Sequence, residues 1–184
     1  MTLHIIGLLV EDRPGVFARI SGLVFKRGFN IETICVGKSE KPGISRIILT
    51  INADDRTLEQ VKKQLGKLID VVKISDLPKS ESVVRELLLV KVNTKDSRKR
   101  ADIIAFAKSF RASVVDVSAK SLVIQLAGQP SKIGAFLELM RPFGIQEISR
   151  TGTNAMSRGP KSLSGEDASK RGSKAKQGGA KAKK

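Results

Sequence analysis

The stretch Glu11-Asp12-Arg13-Pro14-Gly15-Val16-Phe17, and after it Gly28-Phe29-Asn30-Ile31-Glu32, decides the fold of this chain. Residues 3–10 in front of it form an apolar run of strand length, so residues 12–15 read as a strand-to-helix turn. Pro14 suits the first turn of a helix, where a missing N–H costs nothing and a fixed φ is already helical. Gly15 beside it has no Cβ, so another chain or a ligand can approach the backbone closely. The free N–H groups of such a turn, at the positive end of the helix dipole, suit a carboxylate. Val16, Phe17, Ile20, Leu23 and Val24 recur at helical spacing, which predicts a helix over about 14–27 with one apolar face. The helix closes at Gly28, and a second strand over 30–37 opens on Asn30. Strand, anion-ready turn, helix and a strand opening on Asn together read as a small-ligand sensor.

Outward from this stretch, Glu40-Lys41-Pro42-Gly43 is a turn and 44–51 a third strand, so the second and third strands form a hairpin. Thr57 is a candidate N-cap for a second helix in which Leu58, Val61, Leu65, Leu68 and Ile69 share a face. A short fourth strand follows at 71–74. Strand, helix, strand, strand, helix, strand is the split βαβ order of a ferredoxin-like sandwich. After a linker at 77–82 the order repeats. Strand 83–92 leads to a helix capped by Ser97 and carrying Ile103, Ile104, Ala107 and Phe110. Strands 113–117 and 121–126 flank a tight turn. Pro130 opens a helix bearing Ile133, Phe136, Leu137 and Met140, and 145–149 is the last strand. The expected fold is α+β: two ferredoxin-like βαββαβ domains, at 2–76 and 83–156. Residues 157–184 are Gly, Ser, Ala and Lys with little to bury, and read as a disordered basic tail.

The formal charge of +16 resembles a nucleic-acid signal until it is divided. Residues 157–184 hold nine Lys or Arg against Glu166 and Asp167, a net of +7, so +9 is spread over the rest of the chain. The only concentrated block there, Arg98-Lys99-Arg100, reads as the solvated start of a helix. No helix-turn-helix pattern or aromatic RNA platform accompanies the charge. The lone Cys35 excludes an internal disulfide and any multi-Cys metal site, and lies between Ile34 and Val36 as a packed thiol. No apolar run approaches the roughly 20 residues needed to span a membrane, and no export signal opens the chain. A cytoplasmic protein is the expectation. His4 has no nucleophile or metal partner recognisable in sequence, no carboxylate pair stands out, and no phosphate loop or dinucleotide fingerprint occurs. Catalysis by this chain has nothing behind it.

The residues carry a family resemblance. Glu11-Asp12-Arg13-Pro14-Gly15-Val16 with Arg27-Gly28-Phe29-Asn30-Ile31-Glu32 resembles an ACT domain, the amino-acid-sensing module, as found in the regulatory (small) subunit of acetolactate synthase, or acetohydroxyacid synthase. The likeness continues through Gln64-Leu65-Gly66-Lys67-Leu68-Ile69-Asp70-Val71, Arg85-Glu86-Leu87, Val115-Asp116-Val117-Ser118, Glu147-Ile148-Ser149-Arg150-Thr151-Gly152 and Ala155-Met156-Ser157-Arg158-Gly159. It covers about residues 2–159, in order. The resemblance implies a non-catalytic subunit that activates a thiamine-diphosphate enzyme of valine, leucine and isoleucine synthesis. It also implies feedback inhibition by branched-chain amino acids, usually valine. Thiamine diphosphate, Mg and FAD would belong to the catalytic (large) subunit and none to this chain. The resemblance maps the effector site onto Asp12, Gly15, Val16, Asn30 and Ile31, with Asn30 and Ile31 facing the turn of a second copy across a homodimer interface.

Elementary chemistry agrees with that map. A zwitterionic amino acid needs donors for its carboxylate, acceptors for its ammonium and an apolar slot. Backbone amides at Gly15 and Val16 supply the first, Asn30 donates and accepts, and Ile31, Leu9 and Val36 are candidates for the slot. Strand 30–37 falls at a sheet edge, and an apolar edge invites pairing with its twin. Family members commonly have Asn where this chain has Asp12, and Asp accepts but cannot donate, so its natural partner is the ammonium. Plainer readings stand beside these: a Pro14-Gly15 helix start and an Asn30 turn need no ligand. The alternative function is an amino-acid-responsive nucleic-acid-binding regulator that uses the basic tail, with charge as its only support.

Overall fold

The apolar run that opens the chain becomes a central strand, β1 (Thr2–Glu11), buried from Ile5 to Val10. The computed structural model describes residues 2–26, 30–94 and 96–164, the side chain of Ser97 excepted. After β1 come α1 (Val16–Lys26), β2 (Ile31–Lys38), β3 (Ile44–Ala53), α2 (Asp55–Leu65) and β4 (Val71–Asp76). The sheet order is β2-β3-β1-β4, with every neighbouring pair antiparallel. β1 and β3 pair without a break from Thr2↔Ala53 to Glu11↔Ile44. Alternation along the pleat divides the apolar residues between two faces. Ile6, Leu8 and Val10 with Ile47, Leu49 and Ile51 join Ile20, Val24, Val61 and Leu65 of the helices in one core.

The order then repeats as β5 (Ser82–Asn93), α3 (Ser97–Ser109), β6 (Ser113–Val117), β7 (Ser121–Gly128), α4 (Pro130–Met140) and β8 (Ile145–Arg150). Its sheet order, β6-β7-β5-β8, corresponds strand for strand to the first. Leu88, Val90, Val92, Leu122, Ile124 and Leu126 pack with Ile103, Ala107, Ile133, Phe136 and Met140, and the Phe110 and Phe136 rings lie 5.2 Å apart. The chain is thus two ferredoxin-like α+β units. Among the described residues no helix is long and apolar enough to cross a membrane.

Local capping differs from the sequence reading in informative ways. α2 is capped by Asp54, whose carboxylate accepts the Thr57 amide at 2.7 Å; Thr57 is the recipient of the cap and not the cap. α3 is capped likewise by Asp96, which accepts the Arg98 amide, in place of Ser97. α2 ends at Leu65, so Ile69 lies past the helix and is exposed. Phe17 sits at the margin of the α1 apolar arc, where Val16, Ile20 and Val24 take the buried positions, and is also exposed. The expected helix stop at Gly28 lies outside the described residues.

The largest difference concerns the chain's end. A ninth strand, β9 (Asn154–Ser157), pairs with β5. Among the described residues, 155–164 group with those up to Val83, and Val84–Asn154 form the second unit. Residues 157–164, expected in the tail, are placed against the first unit, while 165–184 lie outside the described residues. The physical reason is at Gly7, in the middle of β1. A Cβ there would stand 3.1 Å from the Leu163 and Leu77 methyl carbons, so the missing side chain makes the notch that these two leucines fill. Leu163 is 5% exposed. Further bonds hold the segment: Arg46 Nη2 donates to the Ala155 carbonyl (2.9 Å), Lys41 Nζ to the Ser164 carbonyl (3.0 Å), and the Arg158 amide to the Glu81 carbonyl (2.8 Å).

In the second unit, Glu86 is a buried carboxylate held by both Arg150 Nε (2.6 Å) and Nη2 (2.8 Å). This fork, and above all the hydrogen bonds to Glu86, raises the Arg150 pKa. Removing the guanidinium strands a desolvated carboxylate, a loss typically worth about 3 kcal/mol. Arg150→Ala is therefore expected to lower the unfolding free energy, measured by denaturant titration, by about that much and with it the midpoint, whereas Arg150→Lys recovers only part of the loss.

Candidate functional site

The turn between β1 and α1 is built on hydrogen bonds that leave three amides open, those of Gly15, Phe17 and Ala18. The Glu11 amide donates to the Asp70 carbonyl, Asp12 to Gly43, Arg13 to Glu11, and Val16 to Arg13 at 3.3 Å. Gly15 has φ of +84°, a left-handed conformation that favours glycine, and its carbonyl accepts the Arg19 amide as the first helical bond. α1 therefore begins at Val16, with Pro14 and Gly15 in the turn ahead of it. The Val16 side chain is buried and its amide is used within the turn, so Val16 offers a ligand neither. The amides of Phe17 and Ala18 come next and meet no backbone acceptor among the described residues. With the Gly15 amide, which also meets no backbone acceptor among the described residues, they are the donors at this helix start.

Around the turn, side chains from distant segments fix its shape. Asp12 Oδ1 accepts the hydroxyl of Ser45, itself buried, at 3.1 Å. Arg19 Nη2 lies 3.0 Å from each oxygen of Asp70, a buried carboxylate in the loop before β4. Ser45, Gly43, Arg19 and Asp70 escaped the sequence reading, since none belongs to a local motif. The one available signal was Gly43, whose φ of +76° sits in the β2–β3 turn.

Asn30 and Ile31 lie elsewhere. Asn30 is exposed, just before β2, and Ile31 is half-buried against the core. Ile31 pairs with Ile51, which pairs with His4 near the start of β1; Lys38 pairs with Ser45, which pairs with Val10 near its end. β2 thus runs parallel to β1, and its start is at the opposite end of the sheet from Asp12. The eight residues of β2 make this separation roughly 23 Å, at about 3.3 Å per step. Within one chain the five residues form two half-sites: Asp12, Gly15 and Val16 at one end, Asn30 and Ile31 at the other.

Of the proposed slot residues, Val36 is half-exposed on β2, while Leu9 is buried at 1% exposure and paired with Arg46, out of reach of a ligand at the turn. His4 Nε2 stands 3.2 Å from the Ala53 carbonyl and 3.8 Å from Asp55, a contact between strand ends. Among the described residues no group of three or more His, Cys, Asp or Glu is arranged to hold a metal ion.

Residues 6–73 match the family described as an AHAS small subunit-like ACT domain, and residues 85–159 that described as the small subunit of acetolactate synthase. The probable acetolactate synthase small subunit of Methanothermobacter thermautotrophicus is 51% identical over 87% of this chain and 95% of its own length. The acetolactate synthase small subunit of Mycolicibacterium smegmatis is 46% identical over 87% and 94%. The crystal structure of the Thermotoga maritima acetolactate synthase small subunit superposes with a TM-score of 0.82 at 37% identity, covering 88% of this chain and all of that one.

The strained position at the turn is testable without a ligand. A Cβ on Gly15 meets no atom within 4 Å, so Gly15→Ala costs only its left-handed backbone, about 1–2 kcal/mol. The expected result is a lower melting temperature with unchanged circular dichroism.

Proposed function

The chain belongs to the acetolactate synthase small-subunit family, and we propose that it regulates a catalytic acetolactate synthase subunit by sensing a branched-chain amino acid between two copies of its first unit. The single observation that carries this reading is the separation of the half-sites across the sheet. β2 is the edge strand of its sheet, beside β3 alone among the described strands. Two such edges paired antiparallel about a two-fold axis bring Asn30 and Ile31 of one copy to the end where the other presents its β1–α1 turn. One pairing covers two edges and completes two sites.

Each part of a zwitterionic amino acid then has a counterpart. The Phe17 and Ala18 amides and the positive end of α1 attract the carboxylate. Asp12 accepts from the ammonium in competition with the Ser45 hydroxyl. Asn30 of the second copy donates and accepts, and Ile31 and Val36 supply apolar surface for a branched side chain. Thiamine diphosphate, Mg and FAD belong to the catalytic subunit in this reading, and this chain contributes no group to the reaction. Its control is linkage: an effector that binds one arrangement of the dimer better shifts the subunit that reads that arrangement, typically by about 1–3 kcal/mol.

The test is to assay acetolactate formation by the cognate large subunit with and without this chain, then with L-valine, L-leucine and L-isoleucine in turn. The chain is expected to raise the rate and one of the three to reverse the increase. Asn30→Ala is expected to abolish the reversal while leaving the activation in place. A rate indifferent to the chain would refute the regulatory reading.

A further inference from the structure

Residues 155–164 follow the second unit in sequence and pack on the first, ending at the same hairpin that supports the β1–α1 turn. We propose that this segment is a strap whose seating is coupled to effector occupancy of the turn through the β2–β3 hairpin, an inference that rests on the effector reading above.

The connection is continuous in hydrogen bonds. On one side of the hairpin, the Gly43 carbonyl accepts the Asp12 amide at 2.9 Å and the Ser45 hydroxyl donates to Asp12 Oδ1 at 3.1 Å. On the other, Lys41 Nζ donates to the Ser164 carbonyl at 3.0 Å, and the Ser164 side chain beside Glu40 holds that carboxyl below its usual range. Between them the loop is closed by its own bonds: the Ser39 amide to the Ile44 carbonyl, the Ile44 amide to Lys41, and the Lys41 amide to Ser39 Oγ. Asp12 and Ser164 therefore hold opposite sides of one small hairpin turn.

The strap is also balanced between seated and released. Leu163 in the Gly7 notch and the carbonyl of Ala155 on Arg46 favour seating. Against it, Arg46 is desolvated, and its Nε is buried with no hydrogen-bond partner. An orphaned donor of that kind costs a sizeable part of what the contacts contribute. A segment held by so few groups is the kind that a bound ligand can shift. An effector that orders the Asp12 turn orders Gly43 and Ser45 with it, and so holds Glu40 and Lys41 where Ser164 meets them. The strap then seats at a lower entropic cost, and reciprocally a seated strap tightens the effector.

The experiment uses the full chain, Leu163→Asp, which ejects the side chain from the notch, and Lys41→Met, which removes one tie and leaves the core untouched. Calorimetry with L-valine, L-leucine and L-isoleucine measures affinity. Trypsin, with mass spectrometry of the bonds after Arg158 and Lys161, measures strap release. The expected result is cleavage slowed about fivefold by the bound amino acid, with affinity weakened by a similar factor in Leu163→Asp and by less in Lys41→Met. If the full chain binds an amino acid while both variants bind it equally well and cleavage is unaffected, the coupling is overturned and the effector reading stands. If the full chain binds none of the three, both fall together.

Discussion

The β1–β3 ladder is the constraint on which everything else depends. Ten consecutive pairs fix which residues of β1 face the helices and which face away, and a slip of one would exchange the two sets. Because β3 is also the partner of β2, the same ladder sets where β2 begins and ends relative to β1. The distance between Asn30 and Asp12 is a consequence of that register. So is the place of Gly7, whose missing Cβ opens on the face away from the helices, and of Arg46 and Ser45, which lie near the turn on successive positions of β3.

The candidate site is a backbone site more than a side-chain site. Its donors are amides left over at a helix start, aimed by a left-handed glycine and braced by Asp70, Gly43 and Ser45. This economy suits a sensor, since a small amino acid presents mainly its own carboxylate and ammonium. Asp12 is exposed and bonded to a hydroxyl, and Asp70 is spoken for by Arg19. The strongly held charge pair, Glu86 with Arg150, lies in the second unit, where it pins the end of β8 and contributes to architecture.

The chain's membership of the acetolactate synthase small-subunit family rests on both of its units. The family model of the second unit ends at Gly159, and the described structure continues through a buried leucine to Ser164.

The sequence by itself determined the order of elements, their repetition and the character of the first turn, because strand and helix periods and Pro-Gly chemistry are local. Val16, Ile20 and Val24, or Ile133, Phe136 and Met140, announce their buried faces within a few residues of chain. It also assigned Asp12 to the turn before the first helix and Ile31 to the second strand. Only the tertiary structure decided which end of the sheet each half occupies, since strand order depends on contacts between residues far apart in sequence. The caps at Asp54 and Asp96 were settled there too, by which carboxylate reached an amide. Leu163 was illegible for the same reason: one leucine among Gly, Ser and Lys has no period to reveal it. Its burial is decided by a glycine more than a hundred and fifty residues earlier.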